Sequence, residues 1–266
     1  MGLFKKLGRA INGPRHHLTA EQKEWLERRF LWMKGQFGPD PLMQPPLGPK
    51  SPMWPRRWDA SGEAGAELLQ KLCEYMRVDP KRLELRYYSR ADTHEMGSDH
   101  AGEQHYSGPA GLYIHPESSD RLVIALEIEG LGDLAGFAAT ICHELGHVHL
   151  LADKRIEHKE EDCEPLTDLL TVYFGAGILT ANSAFLFQQW QDHSHQGWST
   201  SRHGYLSEPV FGYALACYAW ARGESDPEWA KHLRHNIRYY FDDSGHYLHT
   251  TRETSIPFGI AAQRKT

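Results

Sequence analysis

The sequence predicts an α+β protein, in which a small, mostly antiparallel sheet packs on one long helix and is followed by a helical C-terminal part. Three short stretches between residues 82 and 128 have the apolar pattern and flanking turn residues of strands. Helical periodicity dominates before residue 77 and again from residue 131 onwards. The predicted order is therefore helix, small sheet, then mostly helices.

The 266 residues suit a single domain with an N-terminal extension. We predict that residues 1–60 form a helix and a Pro-rich arm packed on the main domain, which comprises residues 61–266. Residues 39–55 contain seven prolines and cannot form a regular helix. Because apolar side chains favour burial, this arm is expected to lie on the main domain. Its apolar residues are Leu42, Met43, Leu47, Met53 and Trp54.

Two helices are predicted before the sheet. Thr19 is a good N-cap for a helix that ends at Gly38, and residues 61–76 have the apolar spacing of a second helix. A short basic helix is also predicted for residues 3–11. The predicted strands cover residues 82–89, 112–115 and 121–128, with a hairpin between the last two. Residues 90–111 are predicted to form a polar loop.

Helices dominate the rest of the chain. The longest is predicted for residues 131–151, and the next begins near Glu164 and continues to Gly175. After a polar loop at residues 192–203, further helices are predicted for residues 207–222 and 227–241.

Composition excludes several kinds of partner. The net charge is −6 and there is no long basic run, so a nucleic-acid partner is not expected. No apolar run is long enough for a membrane span, although the basic N-terminus could make weak peripheral contact with an anionic surface.

The four cysteines are scattered and form no CxxC, which favours a reducing compartment, the cytoplasm.

The helix 131–151 contains the pattern HExxH, formed by His143, Glu144 and His147. Residues four apart share one helix face, so both imidazoles can reach the same metal ion. Glu144 lies beside them, where it can act as a base on a water molecule. The chain has 17 histidines, which raises the chance of an accidental motif, but its position on a long amphipathic helix adds weight.

A catalytic zinc usually takes three protein ligands, so a third ligand is expected. Glu164 and Asp168 form an ExxxD pattern at the start of the next helix and share one face. One of them can bind the metal while the other accepts a hydrogen bond from a ligand imidazole. Glu161, His158 and Asp168 itself are rival third ligands, and the helix-face argument favours Glu164.

These residues resemble those of the gluzincins, the thermolysin-like branch of the zincin metallopeptidases. The resemblance covers about 26 residues of motif, together with a similar order of sheet then helices. It implies a zincin-like fold for residues 61–266, with a zinc ion held by His143, His147 and Glu164. It also implies that Glu144 is the general base and that Asp168 accepts a hydrogen bond from His143.

Related enzymes often use a later Tyr or His to stabilise the oxyanion, and Tyr213 and Tyr205 are the candidates here. The function predicted from the resemblance is a zinc-dependent metallopeptidase that acts on a peptide or protein substrate. One alternative is a non-catalytic, zincin-like metal-binding interaction module. Another is a helical interaction protein in which HExxH arose by chance.

Overall fold

The computed structural model describes residues 13–89, 111–114, 121–183 and 206–260. Their fold mixes helix and sheet and is mostly helical, as predicted. The chain groups into two compact units. The first draws its described residues from Met1–Leu47, Val172–Ala184 and Leu206–Thr266, and the second from Gly48–Thr171 and Phe185–Tyr205. The predicted boundary between residues 60 and 61 stays a prediction.

The sheet belongs to the second unit and has three described strands, β1 (Leu83–Tyr88), β2 (Gly111–Ile114) and β3 (Leu122–Glu127). Their order is β1-β3-β2. β2 pairs antiparallel with β3, whereas β1 pairs parallel with β3. The prediction of a mostly antiparallel sheet is therefore not confirmed, because one strand pair is of each kind.

β3 is the central strand of the described sheet. All six of its residues are buried, so the strand is covered on both faces. Its apolar run is continuous rather than alternating, which is typical of strands in parallel sheets. The predicted hairpin implied only that β2 runs antiparallel to β3. It gave no indication of the direction of β1.

In the second unit, one helix precedes the strands along the chain and another follows them. Helix α2 (Gly62–Met76) begins after Ser61, whose hydroxyl accepts a hydrogen bond from the amide of Ala64. Helix α3 (Leu134–His147) begins after Asp133, whose carboxylate accepts from the amide of Ala135.

Helix α3 is shorter than the predicted span of residues 131–151. Residues 128–132 form a 3₁₀ helix that includes Gly130 and Gly132, and Val148–Ala152 form a π-helical turn. Glycine is a poor helix former, which accounts for the later start. Every residue from Phe137 to His147 is buried, so the helix is enclosed rather than exposed on one side.

Helix α4 (Cys163–Tyr173) starts in the second unit and ends in the first. The first unit also contains α1 (Ala20–Phe37), α5 (Glu208–Arg222) and α6 (His235–Thr251). Thr19 and Gln22 form a reciprocal capping box at the start of α1. Gly38 ends it with a φ of +69°, a conformation that favours glycine.

The predicted helix 227–241 is wrong in its boundaries. Residues 228–232 form a 3₁₀ helix, the chain is extended at Leu233, and α6 then begins at His235 and continues to Thr251. The side-chain amide of Asn182 donates to the carbonyl of His232 and accepts from the amide of Arg234. These tertiary hydrogen bonds stabilise the break, which local periodicity could not indicate.

The first part of the Pro-rich arm is held against the first unit. Leu42 and Leu47 are fully buried, and the amide of Leu47 donates to the carbonyl of Gly175 at 2.8 Å. The guanidinium of Arg222 donates to the carbonyls of Leu42 and Gln44. Met43 is 56% exposed, so its predicted burial is wrong.

None of the helices in the described part of the chain is both long enough and apolar enough to cross a membrane. Four predictions lie wholly or mainly outside the described residues. They are the helix at 3–11, the loop at 90–111, the turn between β2 and β3, and the polar loop at 192–203.

Candidate metal centre

Helices α3 and α4 approach closely at Gly146. A Cβ atom at this position would lie 2.7 Å from Cγ2 of Thr167, closer than real Cβ atoms come to a neighbour. Only glycine therefore lets the helices meet at this separation without a shift. The close approach brings the first turns of α4, which carry Glu164 and Asp168, against the two histidines of α3.

Three predicted ligands converge at this contact. The Nε2 atom of His143 lies 3.0 Å from one carboxylate oxygen of Glu164, and Nε2 of His147 lies 3.5 Å from the other. One donor atom from each of the three residues lies within 4.8 Å of the other two. The i, i+4 spacing on α3 and the first turn of α4 thus direct all three toward one point.

The other ring nitrogen of each histidine is also held. Nδ1 of His143 lies 2.9 Å from Oδ1 of Asp168. Nδ1 of His147 lies 3.3 Å from Oγ1 of Thr167 and 4.0 Å from Sγ of Cys163. Partners of this kind fix the orientation of a ligand imidazole.

The centre is buried, and its ionisable groups shift one another's pKa values. His143 and His147 are each 5% exposed. Burial lowers the pKa of His143, but its hydrogen bonds to Asp168 and Glu164 outweigh this and raise the pKa to about 9. Burial raises the pKa of Glu164, yet the neighbouring His147 and His143 hold it well below its usual range. The carboxylate and the protonated imidazoles stabilise one another's charge. A metal ion at the same point would take the place of the imidazole protons and pair with the carboxylate.

Glu144 lies on α3 between the two histidines in sequence and is 4% exposed. Burial raises the pKa of its carboxyl group, while the charges of His147 and His143 oppose the increase. A carboxyl with a raised pKa is suited to accept a proton and to release it again.

The donor set fits a zinc ion. Imidazole nitrogen and carboxylate oxygen are both common zinc ligands, and three protein ligands leave a fourth position for water or substrate. With Nδ1 engaged on each ring, both Nε2 atoms are directed to the shared point. His143, His147 and Glu164 are the residues that would hold the ion.

The rival ligands are not part of this group. Among the described residues, the cluster of possible metal ligands consists of His143, His147 and Glu164. His158 and Glu161 are exposed. Asp168 instead bonds to Nδ1 of His143, on the side of the ring away from the shared point.

Tyr213, the predicted oxyanion donor, belongs to the first unit, where it is fully buried and its hydroxyl donates to Glu27 at 2.5 Å. The hydrogen-bonded contact with Glu27 gives Tyr213 a packing role, and its part as an oxyanion donor stays a prediction. Tyr205 lies outside the described residues.

Two residues of the centre were missed by the sequence analysis, Thr167 and Gly146. Thr167 lies three positions after Glu164, so helical spacing could have placed it near the same face. The role of Gly146 depends on the approach of a second helix, which the motif alone does not reveal.

Comparison with known protein families, with curated proteins and with solved structures finds no match to this chain. The candidate centre is therefore interpreted from its own geometry and chemistry.

Proposed function

We propose that this protein is a zinc-dependent metallopeptidase of the zincin type, with the gluzincin arrangement of ligands. The observation that carries the proposal is the convergence of His143, His147 and Glu164, with Glu144 beside the two histidines on α3. The remaining ring nitrogen of each histidine has a hydrogen-bond partner, as is usual for metal-ligating imidazoles. The four free, buried cysteines support a reducing compartment, and we propose the cytoplasm.

A zinc ion held by His143, His147 and Glu164 would supply Lewis-acid chemistry, because it would polarise the carbonyl of the scissile peptide bond and lower the pKa of a water molecule. Glu144 accepts a proton from the attacking water, whose oxygen bonds to the carbonyl carbon. When the C–N bond breaks, Glu144 delivers that proton to the leaving amine and returns to its carboxylate form. His143, His147 and Glu164 position the ion, and Asp168 orients the ring of His143.

An extended peptide or protein segment is the proposed substrate. β2 is an edge of the described sheet, with β3 on one side, and helix α3 packs against it. The outer backbone edge of such a strand can pair with an extended chain. A peptide paired there would run beside the helix that carries Glu144.

The second candidate is a non-catalytic metal-binding module. The low exposure of His143 and His147 favours it, because a substrate must be able to reach a catalytic metal. Glu144 argues for catalysis, since a structural site has no need of a buried carboxyl group beside its ligands.

The test is the substitution Glu144→Gln, which keeps the shape of the side chain and removes its ability to accept a proton. Zinc content, thermal unfolding and turnover of a peptide and protein library are measured for this variant and the wild type. We expect zinc and stability to be retained and turnover to be lost. Glu63→Gln, a change in the first turn of α2, is the matched control and should leave turnover unchanged. Turnover at the wild-type rate in Glu144→Gln would contradict the role of Glu144 as the general base. Zinc binding without any turnover in the wild type would favour the non-catalytic module.

A further inference from the structure

The hydroxyl of Thr167 connects α4 to the second histidine of the motif. It donates to the carbonyl of Cys163 at 2.8 Å, one turn earlier in α4, and lies 3.3 Å from Nδ1 of His147. A threonine hydroxyl has a single proton. With that proton directed to the carbonyl of Cys163, the oxygen is left to accept a hydrogen bond from Nδ1 of His147. The other neighbour of Nδ1, Sγ of Cys163, is more distant at 4.0 Å.

This contact determines which tautomer of His147 fits the site. An acceptor next to Nδ1 requires the proton to be on Nδ1, which leaves the lone pair on Nε2 for a metal. Asp168 imposes the same tautomer on His143, because a carboxylate also accepts from Nδ1. The adjacent residues Thr167 and Asp168 therefore each control one histidine.

Packing explains why a threonine fits at this position. The methyl group of Thr167 fills the space in front of Gly146, where an added Cβ would be 2.7 Å away. The side chain is fully buried, so its rotamer is fixed by α3 on one side and by the hydrogen bond to Cys163 on the other. The methyl group packs against Gly146 and the hydroxyl faces the imidazole.

We propose that Thr167 is a positioning residue, which holds the Nδ1-protonated tautomer of His147 and so directs Nε2 toward the metal. This inference rests on the proposed metal site. It gives His147 a hydrogen-bond partner, Thr167, that is not part of the HExxH or ExxxD pattern. Removal of the hydroxyl is expected to weaken metal binding by about tenfold, the lower end of the range for hydrogen-bond partners of ligands, because the hydroxyl is neutral.

Three variants of the full chain test the proposal. Thr167→Val keeps the shape and removes the hydroxyl, and Thr167→Ser keeps the hydroxyl and removes the methyl group. Thr140→Val is the matched control, because the buried hydroxyl of Thr140 makes the same type of bond one turn back in α3, to Gly136. Zinc affinity is measured by competition with a chelator, and the His147 Nδ1 proton is observed by NMR in zinc-loaded, ¹⁵N-histidine-labelled protein.

We expect Thr167→Val to weaken zinc binding by about tenfold and to expose the Nδ1 proton to rapid exchange. Thr167→Ser and Thr140→Val should stay close to the wild type in both measurements. Wild-type affinity and a protected Nδ1 proton in Thr167→Val would overturn the proposal, as would an equal loss in Thr167→Ser. If Thr167→Val does not fold, Thr167→Ala compared with Thr167→Ser tests the hydroxyl in the same way. A wild-type chain that binds no zinc would overturn the proposed function itself, and this role with it.

Discussion

At the scale of single residues, Asp168 offers the sharpest test of how the ligands are oriented. Its carboxylate is buried and lies 2.9 Å from Nδ1 of His143. A negative acceptor at Nδ1 fixes the ring and makes Nε2 a stronger ligand. An aspartate at this place therefore acts on the metal through His143 without touching it.

Asp168→Asn is expected to weaken zinc binding by about 10–100-fold, because the amide is a neutral and poorer acceptor. The chain should remain folded, since the substitution preserves the shape of the side chain. Chelator competition measures the affinity, and thermal unfolding reports on the fold. Asp226→Asn changes an exposed aspartate and is the control. Unchanged affinity in Asp168→Asn would remove this residue from the centre.

Much of the candidate centre could be predicted from residue spacing. The i, i+4 rule on α3 and the ExxxD pattern at the start of α4 were enough to group His143, His147, Glu164 and Asp168. Thr167 was missed because the direction of a hydroxyl proton depends on its packing. Tyr213 was chosen for its chemistry, and its burial against Glu27 depends on long-range contacts that have no sequence signal.

At the scale of helices and strands, the centre depends on the close packing of α3 on α4. Gly146→Ala would place a methyl group 2.7 Å from Cγ2 of Thr167. Overpacking of this kind costs about 1–3 kcal/mol, and the helices must separate to relieve it. We therefore expect a lower free energy of unfolding in urea and weaker zinc binding, because the separation moves Glu164 away from the histidines.

The control for Gly146→Ala is Gly245→Ala in α6. A Cβ at Gly245 meets nothing within 4 Å, so the substitution should be neutral or stabilise the helix by up to about 1 kcal/mol. Equal stability and zinc affinity in wild type and Gly146→Ala would show that close helix packing is not needed.

The first part of the Pro-rich arm makes a second prediction at this scale. Arg222 holds the backbone carbonyls of Leu42 and Gln44, and a side chain without donors cannot replace it. Arg222→Met should therefore speed proteolytic cleavage within residues 39–47 under native conditions, as followed by mass spectrometry. Arg238→Met removes an arginine that pairs with Asp242 and is the control. Cleavage at the wild-type rate in Arg222→Met would show that other contacts hold the arm.

Elements with local signals were predicted well from the sequence. The cap at Thr19 and the glycine at Gly38 fixed the ends of α1. The break before α6 was missed because Asn182, from a distant part of the chain, stabilises it. The parallel pairing of β1 was missed for a similar reason, since partner choice in a sheet is a tertiary property.

At the scale of the whole molecule, Asp153 links stability to pH. Its carboxylate interacts with His149, with Arg155 at 2.6 Å and with Arg82 at 2.8 Å. The interaction with His149 and the two arginine pairs hold the pKa of Asp153 well below its usual range, although partial burial opposes this. The folded state therefore favours the carboxylate, and this stabilisation is present above the ordinary pKa and lost as pH falls below it.

Asp153→Asn should lower the free energy of unfolding near neutral pH by about 1 kcal/mol, since the pairs are partly exposed. The difference between wild type and variant should shrink as the pH falls below about 4, where the unfolded aspartate takes up a proton. Urea unfolding at several pH values measures both effects. Glu157→Gln, which changes an exposed carboxylate, is the control. A constant difference across the pH range would contradict the account.

The proposed activity depends on the ability of His143, His147 and Glu164 to hold zinc together. The direct test is zinc content by mass spectrometry after loading and removal of excess metal, in the wild type and in Glu164→Ala. His158→Ala, which removes an exposed histidine, is the control. We predict one zinc per chain in the wild type and in His158→Ala, and a large loss in Glu164→Ala. A wild-type chain without zinc, or full zinc retention in Glu164→Ala, would contradict the claim.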